Sequence, residues 1–225
     1  LASMLLLYGM ALRTYPHSWL IVLPGLLPVL DFAPWTGRFF FSELDHFILL
    51  TLAINTWYNR HLNPFRYIKK NVTILLILFI IFYLINLLIT LFPFQTIDEN
   101  SFSNYYSQYN GLRVSKGFFW ALLLLPSLNY AYQQTSRTKE FFAYGVLFGL
   151  TAVILASIWE RVLFTGLFDF STDYRITAMF SSMHTGGGHI DTYLVTTIPF
   201  IAILFFNSKF HIWRSLAGAF LFVTS

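Results

Sequence analysis

The run Val72–Phe92 is 21 residues built from Ile, Leu, Phe, Val, Thr and Tyr, with Asn86 as its only strongly polar member. About 20 such residues, wound as a helix, cross a bilayer hydrocarbon core about 30 Å thick. In that medium every backbone polar group must find its partner inside the segment, which a helix provides. Val114–Tyr132, Phe141–Trp159 and Ile190–Phe206 repeat the pattern. Phe47–Tyr58, with Glu43–His46 before it, makes a fifth span. Trp19–Leu30 is shorter and holds Pro24, Gly25 and Pro28, so a kinked or partly re-entrant helix is expected there. Leu1–Leu12 reads as the tail of an earlier span, and Leu216 onward as the start of a later one. The expectation is all-α: a polytopic transmembrane helical bundle of about six complete or kinked spans, with truncated spans at both ends. Residues 1–225 are then a single transmembrane domain, a fragment incomplete at both ends.

Composition agrees. Charged residues make up 11% of the chain, against about 25% in a soluble domain, too few to cover a water-facing surface. Aromatics reach 20%, led by 26 Phe, which suits lipid-facing Phe and interfacial Trp and Tyr. The net charge of +4 comes from basic residues scattered through short loops, with no arginine-rich helix or stacking platform, so nucleic acid is not expected as a partner. With no Cys, disulfides, thiolate metal sites and a Cys nucleophile are excluded.

Alternation of the spans sorts the charges. One side receives Arg13, Arg60, Arg66, Lys69, Lys70, Arg137, Lys139, Lys209 and Arg214, nine of the 14 basic residues. The other receives Arg38, Arg113, Lys116, Arg161 and Arg175, together with every acid except Glu140. The positive-inside rule makes the first side cytoplasmic. The longer polar loops, Pro93–Leu112 and Glu160–His189, then face outward, toward the periplasm or exterior.

Candidate chemistry lies on that outward side. Arg175 offers a planar fork of donors suited to phosphate oxygens; the alternative is a headgroup anchor or a pair with Asp173 or Asp169. Gly186–Gly188 precede a helix starting near Ile190, an end whose open N–H groups bind phosphate. Loop flexibility accounts for the glycines as well, and Asp191 in the first turn would compete with an anion. His184 is a candidate general base, against an ordinary interfacial histidine. His184, His189 and Asp191 match no metal-ligand spacing, and no metal is assigned. Arg113 and Lys116 stand where a helix enters from the outward face, placed to reach an acidic headgroup or a diphosphate, or else to snorkel. Glu43, Asp45 and His46 begin a span; charges near membrane depth point to a role, and being close to the end they can equally stand in water.

The run Arg175–Pro199, RITAMFSSMHTGGGHIDTYLVTTIP, resembles the signature of the O-antigen ligase and polymerase family of bacterial inner-membrane glycan transferases. That signature is roughly an Arg, a Thr-Gly pair, a Phe, Asn-Pro-Asn, then a span opening on Tyr-Leu and holding Leu-Pro. Arg175, Thr177, Phe180, Tyr193, Leu194 and Pro199 match in order; Ala178 stands where Gly is usual, and Ser182–His184 where Asn-Pro-Asn is usual. The stretches LPGLLPVLDFAPWTGRFFFSELD and NGLRVSKGFFWALLLLPSL are also similar to ligase-like members.

The resemblance implies a glycosyltransferase of the bacterial inner membrane. Its donor is an undecaprenyl-diphosphate-linked glycan, its acceptor a glycan or lipid A-core, and it needs no cofactor or metal. Arginines hold the departing diphosphate, with Arg175 as the match and Arg113, Lys116, Gly187 and Gly188 as candidate neighbours. A His serves as base; in the family it lies in a large outward loop further along, expected to be absent here, so the resemblance assigns no base within this chain and does not put His184 in that role. Two readings stand beside this one: a polytopic transporter or flippase without covalent chemistry, and a structural partner in envelope assembly. A transporter calls for ionisable groups deep in spans and paired broken helices, whereas the charges here gather at one face.

Overall fold

The computed structural model describes residues 1–28, 41–58, 70–98, 101–102, 106–164, 166, 168–169, 171, 176, 178 and 188–207. Among the described residues it is all-α: α1 (Ala2–Thr14), α2 (Trp19–Leu26), α3 (Glu43–Tyr58), α4 (Lys70–Leu91), α5 (Asn110–Gln134), α6 (Thr138–Phe164) and α7 (Gly188–Asn207). The last expected span, from Leu216, lies outside the described residues.

Two of these helices, α4 and α6, are long and apolar enough to cross a membrane. At 1.5 Å per residue they reach about 33 and 40 Å. By the same measure α2 reaches about 12 Å, so the expected kinked segment is a short helix with Pro24 inside it. Helix α5 is long, but Arg113, Lys116, Asn129, Gln133 and Gln134 interrupt its apolar character.

Contacts fix the helix directions. Tyr8 lies against Phe47 and Thr51, and Arg13 against Tyr58, so α1 and α3 run parallel. Lys116 reaches Asp45, which sets α5 parallel to α3. Phe79 and Tyr83 of α4 pack on Phe118 of α5, and Gly111 faces Thr90, so these two are antiparallel. A three-residue link turns α5 into α6, where the Thr138 hydroxyl donates to the Ala131 and Thr135 carbonyls. Helix α7 returns antiparallel along α6, with Phe200 on Phe142 and Tyr193 beside Gly149. The described bundle therefore has two ends. Arg13, Lys70, Arg137 and Lys139 share one; Asp45, Arg113, Lys116, Glu160 and Arg161 share the other.

The core has two parts. Tyr8, Leu12, Trp19, Leu20, Leu23, Leu44, Phe47, Ile48 and Ala131 meet where α1, α2, α3 and α5 converge, and Ala143, Leu147, Leu150 and Ile201 join α6 to α7. Between them α2 lies almost backbone to backbone on α6. A Cβ added at Gly145 would stand 2.3 Å from the Ile21 carbonyl oxygen, and one at Gly149 would stand 3.1 Å from that of Gly25. Gly145 and Gly149, four residues apart, form the small-residue face that lets helix axes approach closely.

Helix α4 is the contrast. Apolar on every side, it buries only Leu91 and leaves Leu75, Phe82, Ile85, Leu88 and Ile89 at the surface. Its contacts are with α5.

The α2–α6 approach is testable. Gly145→Ala puts its methyl into backbone that cannot swing aside, and overpacking of that kind costs about 1–3 kcal/mol. Gly117, on the same bundle, has open space at its Cβ position. Gly117→Ala is expected to be neutral or to stabilise by up to about 1 kcal/mol through helix propensity. Thermal unfolding of the two variants in detergent, followed by circular dichroism, should separate them in that order.

Candidate functional site

The described part of the site begins with how α3 starts. Ser42 precedes the helix, and three residues on Asp45 turns back so that its Oδ2 accepts the Ser42 N–H (2.5 Å) and hydroxyl (2.9 Å). This is the acidic half of a capping box, and it places a carboxylate at the positive end of the helix dipole. The same Oδ2 takes the Lys116 ammonium at 2.5 Å, and Oδ1 accepts the Trp120 indole N–H at 2.6 Å. Asp45 is 2% exposed. Of the two settings open to it from sequence, water at the bundle end or a buried role, it takes the second.

That arrangement decides how Lys116 behaves. Its ammonium is neutralised by a carboxylate holding donors from two helices, so it is poorly placed to meet a second anion. A buried charge left without its partner costs several kcal/mol, which ties the pair together. Arg113, one turn earlier on α5, is half-buried and donates from Nε to Asn110 Oδ1 at 3.0 Å. Among the described cations at this end, Arg113 is the better fit to a phosphate.

The end of α6 organises the next segment. The Gly166 N–H returns to the Arg161 carbonyl at 2.9 Å, with Gly166 at φ +86°, a helix stop that glycine adopts without strain. Arg161 Nη2 donates to the Asp169 carbonyl at 2.6 Å, and Glu160 Oε2 accepts the Ala178 N–H at 2.5 Å. Two adjacent residues thus hold backbone eight and eighteen positions downstream. Ala178 sits at φ +47°, in the left-handed region. The position at which the resemblance expects Gly is therefore one where the backbone itself favours Gly. Asp169 accepts from the Ser171 hydroxyl and N–H, which hold its carboxyl below the usual carboxylate range and keep it charged.

Of the remaining candidates, Gly188 is the first residue of α7, at the same end of the bundle as Asp45 and Arg113. Arg175, His184 and Gly187 lie outside the described residues, as do Asp173 and Gly186. No group of three or more His, Asp or Glu able to hold a metal occurs among the described residues. The loop between α4 and α5 is tied by Ser101 donating to Asp98 Oδ1 and by the Tyr109 hydroxyl donating to the Gln95 carbonyl. Sequence reasoning did not find the Asp45–Lys116 pair, which joins positions 71 residues apart. The signal open to it was Ser42-x-x-Asp45, a capping pattern next to an apolar run.

Asp45→Ala strands the Lys116 charge and should destabilise the protein by about 3–5 kcal/mol, whereas Asp45→Leu with Lys116→Met removes both charges and should cost less, about 1–3 kcal/mol for the lost Ser42 cap and the stranded Trp120 N–H. Denaturation of the two variants in detergent reads the difference. Ala178→Gly should stabilise by roughly 1 kcal/mol by relieving the left-handed backbone. Glu160→Ala should speed amide exchange at Ala178, measured by hydrogen–deuterium exchange. Comparison with protein-family models, curated proteins and solved structures finds no match to this chain.

Proposed function

We propose that this chain belongs to a polytopic membrane enzyme that transfers a glycan from an undecaprenyl-diphosphate donor to a glycan or lipid A-core acceptor at the outer face of a bacterial inner membrane. The observation that carries the reading is the ordered run Arg175, Thr177, Phe180, Tyr193, Leu194 and Pro199. It is supported by an apolar helical bundle that gathers its acids at one end. Helix α4 favours lipid surroundings, because an exposed helix apolar on every side is stable in hydrocarbon and not in water. On this reading the six expected spans are membrane-crossing or membrane-embedded, and the end carrying Asp45, Arg113 and Glu160 faces outward.

The chemistry is an inverting substitution. The acceptor hydroxyl oxygen bonds to the anomeric carbon as the bond from that carbon to the diphosphate oxygen breaks, and a base takes the hydroxyl proton. Undecaprenyl diphosphate leaves carrying the developing negative charge. Fixed guanidinium groups stabilise that charge in a site of low dielectric. Arg175 is assigned this role from the sequence, and Arg113 is the described cation suited to share it; Lys116, committed to Asp45, supports the position of α5. Gly188 opens α7, whose free N–H groups suit the same oxygens, and Gly187 is assigned with it from the sequence. The polyprenyl tail stays in lipid beside the bundle.

The short helix α2, with Pro24 and Gly25 in the core, and the buried Asp45–Lys116 pair favour a transporter, since broken helices and buried ionisable groups form transport sites. Reconstituted full-length protein given an undecaprenyl-diphosphate glycan and an acceptor separates the two. The enzyme reading expects a new glycosidic product and a fall of about 10²–10³-fold in turnover for Arg175→Ala. Unchanged turnover in that variant removes Arg175 from the mechanism. Movement of the intact donor across the bilayer with no new bond establishes the transporter instead.

A further inference from the structure

Helices α1 and α3 lie side by side, joined by the Tyr8 hydroxyl on Thr51 Oγ1 at 2.6 Å and by Gly9 against Leu50. Toward the basic end of the bundle the two helices leave a cleft of about 340 Å³, lined by Gly9, Arg13, Ala53, Ile54, Trp57 and Tyr58. Three of its lining residues, Gly9, Ala53 and Ile54, are apolar, and two of those are small. Its rim is different. Arg13 is exposed, and Trp57 and Tyr58 are 72% and 62% exposed.

Charge sharpens what fits there. Arg13 has no hydrogen-bond or ion-pair partner among the described residues, and no acid lines the cleft. The described acid at this end, Glu140, is bonded to Arg137 at 3.1 Å. The sequence that follows Tyr58, up to Lys70, holds Arg60, Arg66 and Lys69 and no acid. A cation above an apolar trough, flanked by Trp and Tyr, has the polarity profile of a phospholipid from phosphate through glycerol to acyl chain. A free anion would use the cation and leave the trough unexplained.

We propose that this cleft binds an anionic phospholipid, with the phosphate on Arg13, the glycerol region beside Trp57 and Tyr58, and the first acyl carbons over Gly9, Ala53 and Ile54. The site rests on the membrane-embedded reading of the bundle and is independent of glycan transfer. It lies at the opposite end from Asp45 and Arg113, so its occupancy bears on how α1 and α3 are held and not on the reacting groups.

The test uses the full chain in nanodiscs of phosphatidylcholine containing a minor fraction of phosphatidylglycerol, with retained lipid read by native mass spectrometry. The wild-type chain should keep phosphatidylglycerol above its bilayer proportion. Arg13→Gln should lower that preference about fivefold, the usual weight of one basic group near an anionic surface. Ala53→Leu, which fills the trough and leaves the charge, should lower it as well, while Arg137→Gln at the same end should not. Equal retention by wild type, Arg13→Gln and Ala53→Leu overturns the site. Loss with Arg13→Gln but not with Ala53→Leu, or displacement of the lipid by inorganic phosphate, overturns the lipid in favour of a simple anion. Failure of the chain to enter nanodiscs overturns the membrane reading and this site with it.

Discussion

A single carboxylate at one end of the bundle holds the arrangement around it. Asp45 caps α3 through Ser42 and neutralises Lys116 of α5, while its second oxygen takes the Trp120 indole. Each of these donors is weak support alone; together on one buried group they leave few oxygen lone pairs unused, which is the condition under which a buried charge is tolerated. The pair fixes the direction of α5 against α3, and α5 in turn carries α4 and Arg113. The helix that presents the candidate phosphate-binding residue is therefore placed by a pair that does not bind phosphate.

The second constraint is the absence of polar cover. Helices α2 and α6 meet through Gly25, Gly145 and Gly149, so their contact adds close backbone approach to the burial of Trp19, Leu20 and Leu23. That mode suits surroundings in which the hydrophobic effect does not drive helices together. Helix α4, exposed and apolar throughout, points the same way. Some buried polar groups are met inside the bundle, as where Tyr8 reaches Thr51, whose hydroxyl donates to the Phe47 carbonyl, and where Thr138 reaches Ala131; the Ser18 hydroxyl and the Asn129 side-chain nitrogen are buried without a partner among the described residues.

Much of the helical layout was legible because it depends on local pattern. The apolar runs at Val72–Phe92 and Phe141–Trp159 became α4 and α6, and the proline-interrupted Trp19–Leu30 became the eight-residue α2. The sorting of Arg13, Lys70, Arg137 and Lys139 to one end follows from alternation alone. The candidate site was less legible, because its parts meet through tertiary contact. Asp45 and Lys116 are remote in sequence, and no composition or period links them. Lys116 was assigned to a diphosphate on charge, whereas its immediate partner is a carboxylate. Gly145 and Gly149 stand in an ordinary apolar run, and only the packing sets the Ile21 carbonyl against the first and the Gly25 carbonyl against the second. Ala178 is the reverse case: its departure from the expected Gly was visible in sequence, and the left-handed backbone gives the reason Gly is preferred there.

The central claim is that the basic and acidic ends of this bundle lie on opposite sides of a membrane. Residues 1–225 contain no cysteine, so single cysteines placed in them report on sidedness once any cysteine elsewhere in the full-length protein is replaced. Ser136, in the exposed link between α5 and α6, and Tyr106, 91% exposed in the loop between α4 and α5, mark the two ends. Labelling of full-length Ser136→Cys and Tyr106→Cys with a membrane-impermeant maleimide is the direct measurement, in spheroplasts before and after permeabilisation. The account predicts that Tyr106→Cys labels in intact spheroplasts and Ser136→Cys only after permeabilisation. Labelling of both positions from the same side would contradict it.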